Sequence, residues 1–381
     1  MAITHTPIAV VGGGQAGLAM GYHLRRIGVS FVILDAAART GEAWRSRWDT
    51  LRLFSLPRYA SLPGLPIQTA SYPTRDEMAD YLERYAECFD LPIRHRTRVR
   101  RLSHDGSCFV LETTDGDILL ADQVVVATGG HLRPVRPDFA GELDPSIRQL
   151  DAIDYRRATE YADDVLVVGA GTAGSDIAID LARQGHRTVL AGPHPGEIPL
   201  PLDSLAVRLL MPLVAHALLH LFTLSTPMGR RLHRRIQRRG TPLIRYRRSD
   251  IAAAGVRRVG YIVRIVEGRP QVDDGTILDP RTVVWCTGFA PDHSWIDLPV
   301  FGRDGRVRQR RGVACGRPGL YFLGLSFQHS VASGAVLGLD QDARYLLRAL
   351  SRRGLRGPAV TAVRPSTPRA GPIAATGLAG G

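Results

Sequence analysis

Two stretches of the chain share one design: VVGGGQAG at Val10–Gly17 and VVGAGTAG at Val167–Gly174. Each follows a β-branched apolar run and opens an apolar-periodic segment, so each reads as strand, Gly-x-Gly-x-x-Gly turn and helix. The first glycine permits the tight turn, the second lets a pyrophosphate approach the backbone, and the third lets the helix pack against the strand. Free N–H groups and partial positive charge at the helix start then face that pyrophosphate. The repeat, Gly12 to Gly169, spans 157 residues, so the chain carries two dinucleotide-type units.

The flanking segments complete both units. SFVILD ends in Asp35, 18 residues beyond Gly17, where a carboxylate accepts hydrogen bonds from ribose hydroxyls and repels a 2′-phosphate. DDVLVVG, SDIAIDLARQG and RTVLAG repeat the strand–helix–strand plan from Asp163 to Gly192, and QVVVATGG and TVVWCTGF are further strands ending in glycine turns. The fold class is α/β: two Rossmann-like dinucleotide-binding domains, the smaller inserted into a discontinuous first. The expected limits are 1–157 and 284–350 for the first domain and 158–283 for the second, with a helical insertion at 203–240. Residues 351–381, rich in Gly, Pro, Ala and Thr, are expected to form a disordered tail.

The segment Gly41–Gly64, GEAWRSRWDTLRLFSLPRYASLPG, points to FAD in the first unit. It concentrates aromatic, arginine and glycine residues just past the ribose acid, where they can wrap the flavin end of an extended dinucleotide. Trp44 and Arg45 are assigned to the cofactor, and Trp48 to the core.

The net charge of +13 is local. Nine arginines and no acid lie between Arg230 and Arg248, and five arginines and no acid follow Ser351; without these fourteen the chain stands at −1. That pattern excludes a general nucleic-acid surface. Every basic charge is arginine, which GC-rich coding explains. Cys88, Cys108, Cys286 and Cys315 form no C-x-x-C pair, so no redox dithiol or metal-ligand pattern is present, and the usage suits a reducing cytoplasm. No signal peptide is read at the N-terminus. The apolar run Leu205–Leu224 is interrupted by Arg208, Pro212, His216 and His220 and leads into the basic GRRLHRRIQRRG. Buried or interdomain helices are expected there. Peripheral contact of 205–239 with acidic lipid is the less favoured alternative.

Taken with VVVATGG, VVWCTGF, PGLYFLGL, GEAWRSRWDTLRL and LPGLPIQTASYPTRDEMADYL, the two loops make the chain resemble the flavin-containing monooxygenase superfamily. This is the class B flavoprotein group that includes the plant auxin-pathway enzymes. The resemblance runs to about residue 350. It implies an FAD domain holding an inserted NAD(P) domain, reduction by NADPH or NADH, and reaction with O2 through a flavin C4a-(hydro)peroxide that oxygenates a small molecule at N, S or carbonyl carbon. By the same resemblance Gly12, Gly14, Gln15, Ala16 and Gly17 line the FAD pyrophosphate, and Asp35 holds the ribose. Trp44, Arg45 and Leu51 lie along the cofactor, Val99 near the adenine, and Ala127, Thr128 and Gly129 close the site. Gly169, Gly171, Thr172, Ala173, Gly174 and His194 would contact NAD(P), and Gln328 and His329 are candidates near the flavin ring.

Three positions depart from the family pattern. Asp151 stands where a linker histidine is expected, and Thr172-Ala173 replaces the usual Asn-Ser. Pro193 replaces an arginine that clamps the 2′-phosphate of NADP. A relaxed choice between NADPH and NADH is therefore expected, with a flavin oxidase or dehydrogenase that ignores nicotinamide as the alternative. A non-catalytic scaffold is the third reading, and a disulfide reductase is disfavoured by the missing dithiol.

Overall fold

The computed structural model describes residues 2–130, 133–161, 164–198, 204–239 and 241–354. The architecture is the expected α/β one, with two Rossmann-like sheets, the first parallel at its centre and the second parallel throughout.

The chain opens with β1 (Ile3–Val11), helix α1 (Gln15–Arg26) and β2 (Phe31–Leu34), and β2 pairs parallel with β1. Short helices α2 (Glu42–Arg45) and α3 (Pro57–Ala60) precede α4 (Arg75–Cys88), which starts in a capping box between Thr74 and Glu77. Strand β3 (Ile93–Arg94) joins the far side of β2, while the antiparallel β4 (Val99–His104) and β5 (Phe109–Thr113) lead into β6 (Ile118–Val126). β6 returns to the other side of β1 in parallel register, from Ile3 opposite Ile118 to Val11 opposite Val126.

The chain then leaves this sheet through β7 (Arg133–Pro134) and builds a second one. Its strands are β8 (Arg148–Asp151), β9 (Val165–Val168), β10 (Thr188–Ala191) and β11 (Arg257–Val259), with helix α5 (Thr172–Arg183) between β9 and β10. Helices α6 (Leu205–His216), α7 (Pro227–Arg239) and α8 (Arg248–Ala253) separate β10 from β11. A hairpin, β12 (Ile262–Val266) and β13 (Arg269–Val272), precedes β14 (Thr282–Trp285), which lies parallel between β8 and β9. The return crossing, β15 (Phe289–Ala290), pairs with β7. Strands β16 (Gln309–Arg310), β17 (Val313–Ala314) and β18 (Leu320–Phe322) then rejoin the first sheet beside β6, and α9 (Val336–Arg352) closes the described chain. The second sheet thus includes β8 and all of β14, so the expected limits at 157/158 and 283/284 cut across it.

Burial follows the sheet periodicity. Ile8, Val10 and Ile33 face α1, α4 and α9, while Ala9, Val11, Val32 and Leu34 face the β4–β5 side. In the second sheet Val165, Val167, Leu190 and Val284 face α5 and α8, and Leu166, Val168 and Val283 face the β12–β13 hairpin. Strands β2, β9 and β14 are buried along their whole length, as central parallel strands are, and read in sequence as unbroken apolar runs.

Of the expectation of buried or interdomain helices at 205–224, burial is corrected. Leu209 and Leu213 are each 70% exposed, Leu210, Val214 and Leu221 are exposed too, and from 207 to 216 Ala215 alone is buried. Among the described residues no apolar cluster draws a member from this run, because α1, α4, α5, α8 and α9 already cover the sheets. Among the described residues, no helix is long and apolar enough to cross a membrane. The expected disordered tail lies, beyond Gly354, outside the described residues.

Candidate functional site

Both glycine loops sit at the C-terminal ends of parallel strands, where an open α/β sheet presents its ligand crevice. Gly12 has φ +110°, and a Cβ there would lie 2.5 Å from the Ala127 carbonyl oxygen. A Cβ on Gly17 would fall 1.9 Å from the Gly12 oxygen, so α1 rests directly on the turn. Gly14 is the opposite case: a Cβ there meets no atom within 4 Å. It is the N-cap of α1, which starts with no side-chain cap and no acid in its first turn. The loop is therefore closed where it must pack and open where a pyrophosphate must approach.

The second loop repeats this geometry. A Cβ on Gly174 would lie 1.9 Å from the Gly169 oxygen, and Gly169, at φ +109°, packs on the Cys286 carbonyl at the end of β14. Gly171, the uncapped N-cap of α5, faces open space. Thr172 and Ala173 begin the helix, and Ala173 packs on the second core, so replacing Asn-Ser leaves the turn intact.

Around the first loop, Asp35 ends β2 with its side chain 15% exposed and accepts from the Ala37 N–H at 3.2 Å. Burial raises its pKa, opposed by that hydrogen bond and by His95. The Thr97 N–H donates to the Asp35 carbonyl at 2.8 Å, which ties the start of β4, at Val99, to the end of β2. Ala127 donates its N–H to Val11, and the Thr128 hydroxyl beside it is buried with no hydrogen-bond partner. An orphaned hydroxyl and an open cradle at one crevice fit a bound dinucleotide.

The Gly41–Leu51 segment divides its side chains. Trp44 donates its indole N–H to the Gln15 side-chain oxygen at 3.1 Å, at the mouth of the first loop. Arg45 turns the other way, to Asp80 at 2.6 Å, Glu83 at 2.7 Å and the Thr40 carbonyl at 2.9 Å. Its guanidinium fastens α2 to α4 and faces the carboxylates of that helix. Trp48 is buried in the second core, as read from sequence, and Leu51 touches both cores. Residues 47–51 are thus a seam between the units: the Asp49 N–H donates to the Arg156 carbonyl, and Arg245 reaches the Thr50 carbonyl. Asp151, in place of the linker histidine, accepts two hydrogen bonds from Arg136, at 2.8 and 3.0 Å, and so ties β8 to the crossing segment.

Gln328 and His329 lie on the loop after β18. Gln328 is 2% exposed and accepts from the Leu325 N–H, and its amide nitrogen has no partner. Burial, then Arg311 and His220, lower the His329 pKa, which favours the neutral ring at neutral pH. The helical insertion holds this loop from outside: Leu224 donates to the His329 carbonyl at 2.9 Å, Val331 to Phe222 at 3.0 Å, and His233 packs on Phe327. Phe327 itself sits at φ +52°, a strained value for a non-glycine residue.

Several buried ionisable groups escaped sequence reading. Asp176 lies in the first turns of α5, 3.5 Å from Arg245, and burial pushes its pKa up to about 7. Asp180, one turn on, accepts from the Tyr155 hydroxyl at 2.6 Å. Asp342, on the buried face of α9, is pushed up to about 6, again by burial. The available signal was two acids four residues apart in the otherwise apolar SDIAID.

The comparisons with known proteins agree with this geometry. Residues 9–198 match the family model described as pyridine nucleotide-disulphide oxidoreductase. An uncharacterized CzcO-like oxidoreductase of Geobacillus kaustophilus is 33% identical over 345 residues, covering 89% of this chain and 97% of that one. The flavin-containing monooxygenase of Stenotrophomonas maltophilia superposes with a TM-score of 0.75 at 29% identity, over 92% of this chain and 99% of that one. The rice indole-3-pyruvate monooxygenase YUCCA1 is 31% identical over 182 residues, 46% of this chain and 45% of that one. Paired glycine loops on two parallel sheets, a seam between them and these relatives together assign the protein: the chain belongs to the flavin-containing monooxygenase superfamily.

Proposed function

We propose that the chain is an FAD-dependent monooxygenase, reduced by NAD(P)H, that oxygenates a small molecule at nitrogen, sulfur or a carbonyl carbon. The observation that carries this reading is the pair of open cradles, at Gly14 and Gly171, on two sheets joined through the 47–51 seam. Bound FAD supplies the redox chemistry, accepting reducing equivalents from NAD(P)H and passing them to O2, one oxygen atom of which enters the substrate while the other leaves as water.

The chain's own residues bind, orient and exclude water. The α1 N-terminus with Gly12, Gly14, Gln15, Ala16 and Gly17 receives the FAD pyrophosphate, Asp35 the ribose hydroxyls, and Thr128 offers an unpaired hydroxyl. The α5 N-terminus with Gly169, Gly171 and Gly174 receives the second pyrophosphate. Gln328 presents a buried amide donor, and the apolar seam of Trp48 and Leu51 shields the space between the units from water. Sheet membership supports a nicotinamide unit running from β8 to β14, inserted into the flavin unit. The free cysteines suit a reducing compartment, and we place the protein in the cytoplasm.

The test is anaerobic titration of the purified flavoprotein with NADPH and with NADH. Bleaching of the flavin absorbance, then ¹⁸O2 incorporation into an amine, sulfide or ketone probe, is the expected result. Bound FAD that neither nucleotide bleaches would refute the reading.

A further inference from the structure

We propose that Arg258, from β11, is the 2′-phosphate clamp of the second dinucleotide site, with Arg248 and His194 completing it, so that the protein selects NADPH although Pro193 carries no charge. This rests on the reading of the second glycine loop as a nicotinamide-dinucleotide site.

The position follows from topology. In a β-α-β dinucleotide fold the end of the second strand reads the 2′ position of the adenosine ribose. In the flavin unit that place is taken by Asp35, whose charge repels a 2′-phosphate. In the second unit β10 ends at Ala191 and passes into Gly192 and Pro193. Strand β11 lies parallel beside it, with Arg258 opposite Leu190, and the Arg258 Nη2 donates to the Gly192 carbonyl at 3.0 Å. The guanidinium is therefore anchored to the backbone of the turn from which a residue-193 side chain would have reached.

The chemistry of the surrounding cavity is that of a phosphate site. It measures about 450 Å³ and is lined by Arg248, Arg257, Arg258, His194 and Asp274, with Glu197 behind His194. Asp274 lies in the field of Arg257, which leaves Arg248 and Arg258 in excess. The Nε and Nη1 atoms of Arg258 are buried and have no hydrogen-bond partner among the described residues. Shielded, unsatisfied guanidinium donors are costly, and a phosphate dianion supplies the acceptor they need, one free N–H forming a fork with the second Nη2 proton. His194 is prepared in the same sense. The Gly196 N–H donates to its Nδ1 at 2.9 Å, which puts the ring proton on Nε2. That atom is also buried without a hydrogen-bond partner, the Glu197 carboxylate standing 3.6 Å away. Glu197 in turn accepts from the Arg248 backbone N–H at 2.9 Å.

The test is calorimetric titration of the FAD-loaded full chain, in phosphate-free buffer, with 2′,5′-ADP and 5′-AMP, which differ only in the 2′-phosphate. Wild type is expected to bind 2′,5′-ADP at least about tenfold more tightly, as loss of a charge-assisted bidentate pair implies. Arg258→Ala should reduce that ratio to about threefold or less with the 5′-AMP Kd unchanged, and Arg248→Ala should reduce it partially. Flavin absorbance and thermal midpoint report whether each variant folds. A wild-type ratio near unity overturns the proposal alone, as does an unchanged ratio in whichever of the Arg258 and Arg248 variants fold. Failure of both nucleotides to bind wild type overturns the nicotinamide site itself, and the proposal with it.

Discussion

The indole N–H of Trp44 donates to the side-chain oxygen of Gln15 at 3.1 Å, joining the first residue of α1 to the helix that follows the ribose acid. The bond fixes the Gly41–Leu51 segment at the mouth of the first glycine loop. Trp44→Phe keeps the ring and removes the donor. A neutral hydrogen bond is worth about 1 kcal/mol, so FAD affinity should fall about fivefold in a titration of apoprotein followed by flavin fluorescence. An unchanged affinity would place this bond outside the cofactor site.

Two glycines of one motif should fail differently. Gly17→Ala puts a methyl 1.9 Å from the Gly12 oxygen, so α1 must move. Urea unfolding should show a loss of about 3 kcal/mol, at the upper end for overpacking. Gly14→Ala meets no protein atom within 4 Å. Its stability should stay within about 0.5 kcal/mol of wild type while FAD binding weakens about tenfold or more, because the methyl enters the pyrophosphate path. Equal effects of the two changes would count against the assignment of the loop.

Arg45 should matter for stability and little for the cofactor. Its guanidinium is committed to Asp80, Glu83 and the Thr40 carbonyl, and both carboxylates are partly exposed. Screening limits the loss in Arg45→Ala to about 1 kcal/mol, read as a lower thermal midpoint, with FAD affinity changed less than about threefold. A large drop in affinity at unchanged stability would show that the side chain reaches the cofactor instead.

The buried carboxyl of Asp342 gives a pH signature. It is 2% exposed, and burial raises its folded pKa from 3.8 to about 6. The folded state therefore binds the proton more tightly than the unfolded chain, and this group lowers stability as pH rises from about 4 to about 6. Asp342→Asn removes that dependence. Relative to wild type, the variant should gain roughly 2 kcal/mol between pH 4 and pH 7, measured by urea unfolding at both. A difference that stays flat across this range would contradict a protonated Asp342 in the folded protein at acid pH.

Much of the fold was legible because local chemistry dictates it. The strand–glycine–helix units at Gly12 and Gly169 need residues that permit particular backbone approaches, and only glycine meets those demands, so the letters themselves carry the geometry. Fully buried parallel strands show as unbroken apolar runs, which the half-buried β12 and β13 do not. Other features depended on partners far away in sequence. Arg45 and Trp44 are adjacent yet face opposite ways, because α4 supplies carboxylates on one side and Gln15 an acceptor on the other. The 205–224 run reads by composition as buried or interdomain helix, but composition does not reveal that other helices already cover both sheets.

Contiguous sequence dictates the two strand–glycine–helix units, their order along the chain and the acid that ends the second strand of the first. These are properties of contiguous segments, in which backbone sterics and short-range periodicity decide the outcome. Tertiary structure decided which charges meet: Arg136 with Asp151 across the linker, Arg245 with Asp176 beside the seam, and Arg258 with the turn after β10. Pro193 reads in sequence as a lost arginine, whereas pairing β11 to β10 returns a guanidinium to the same turn from 66 residues away. Strand pairing sets that contact, and no local pattern encodes it.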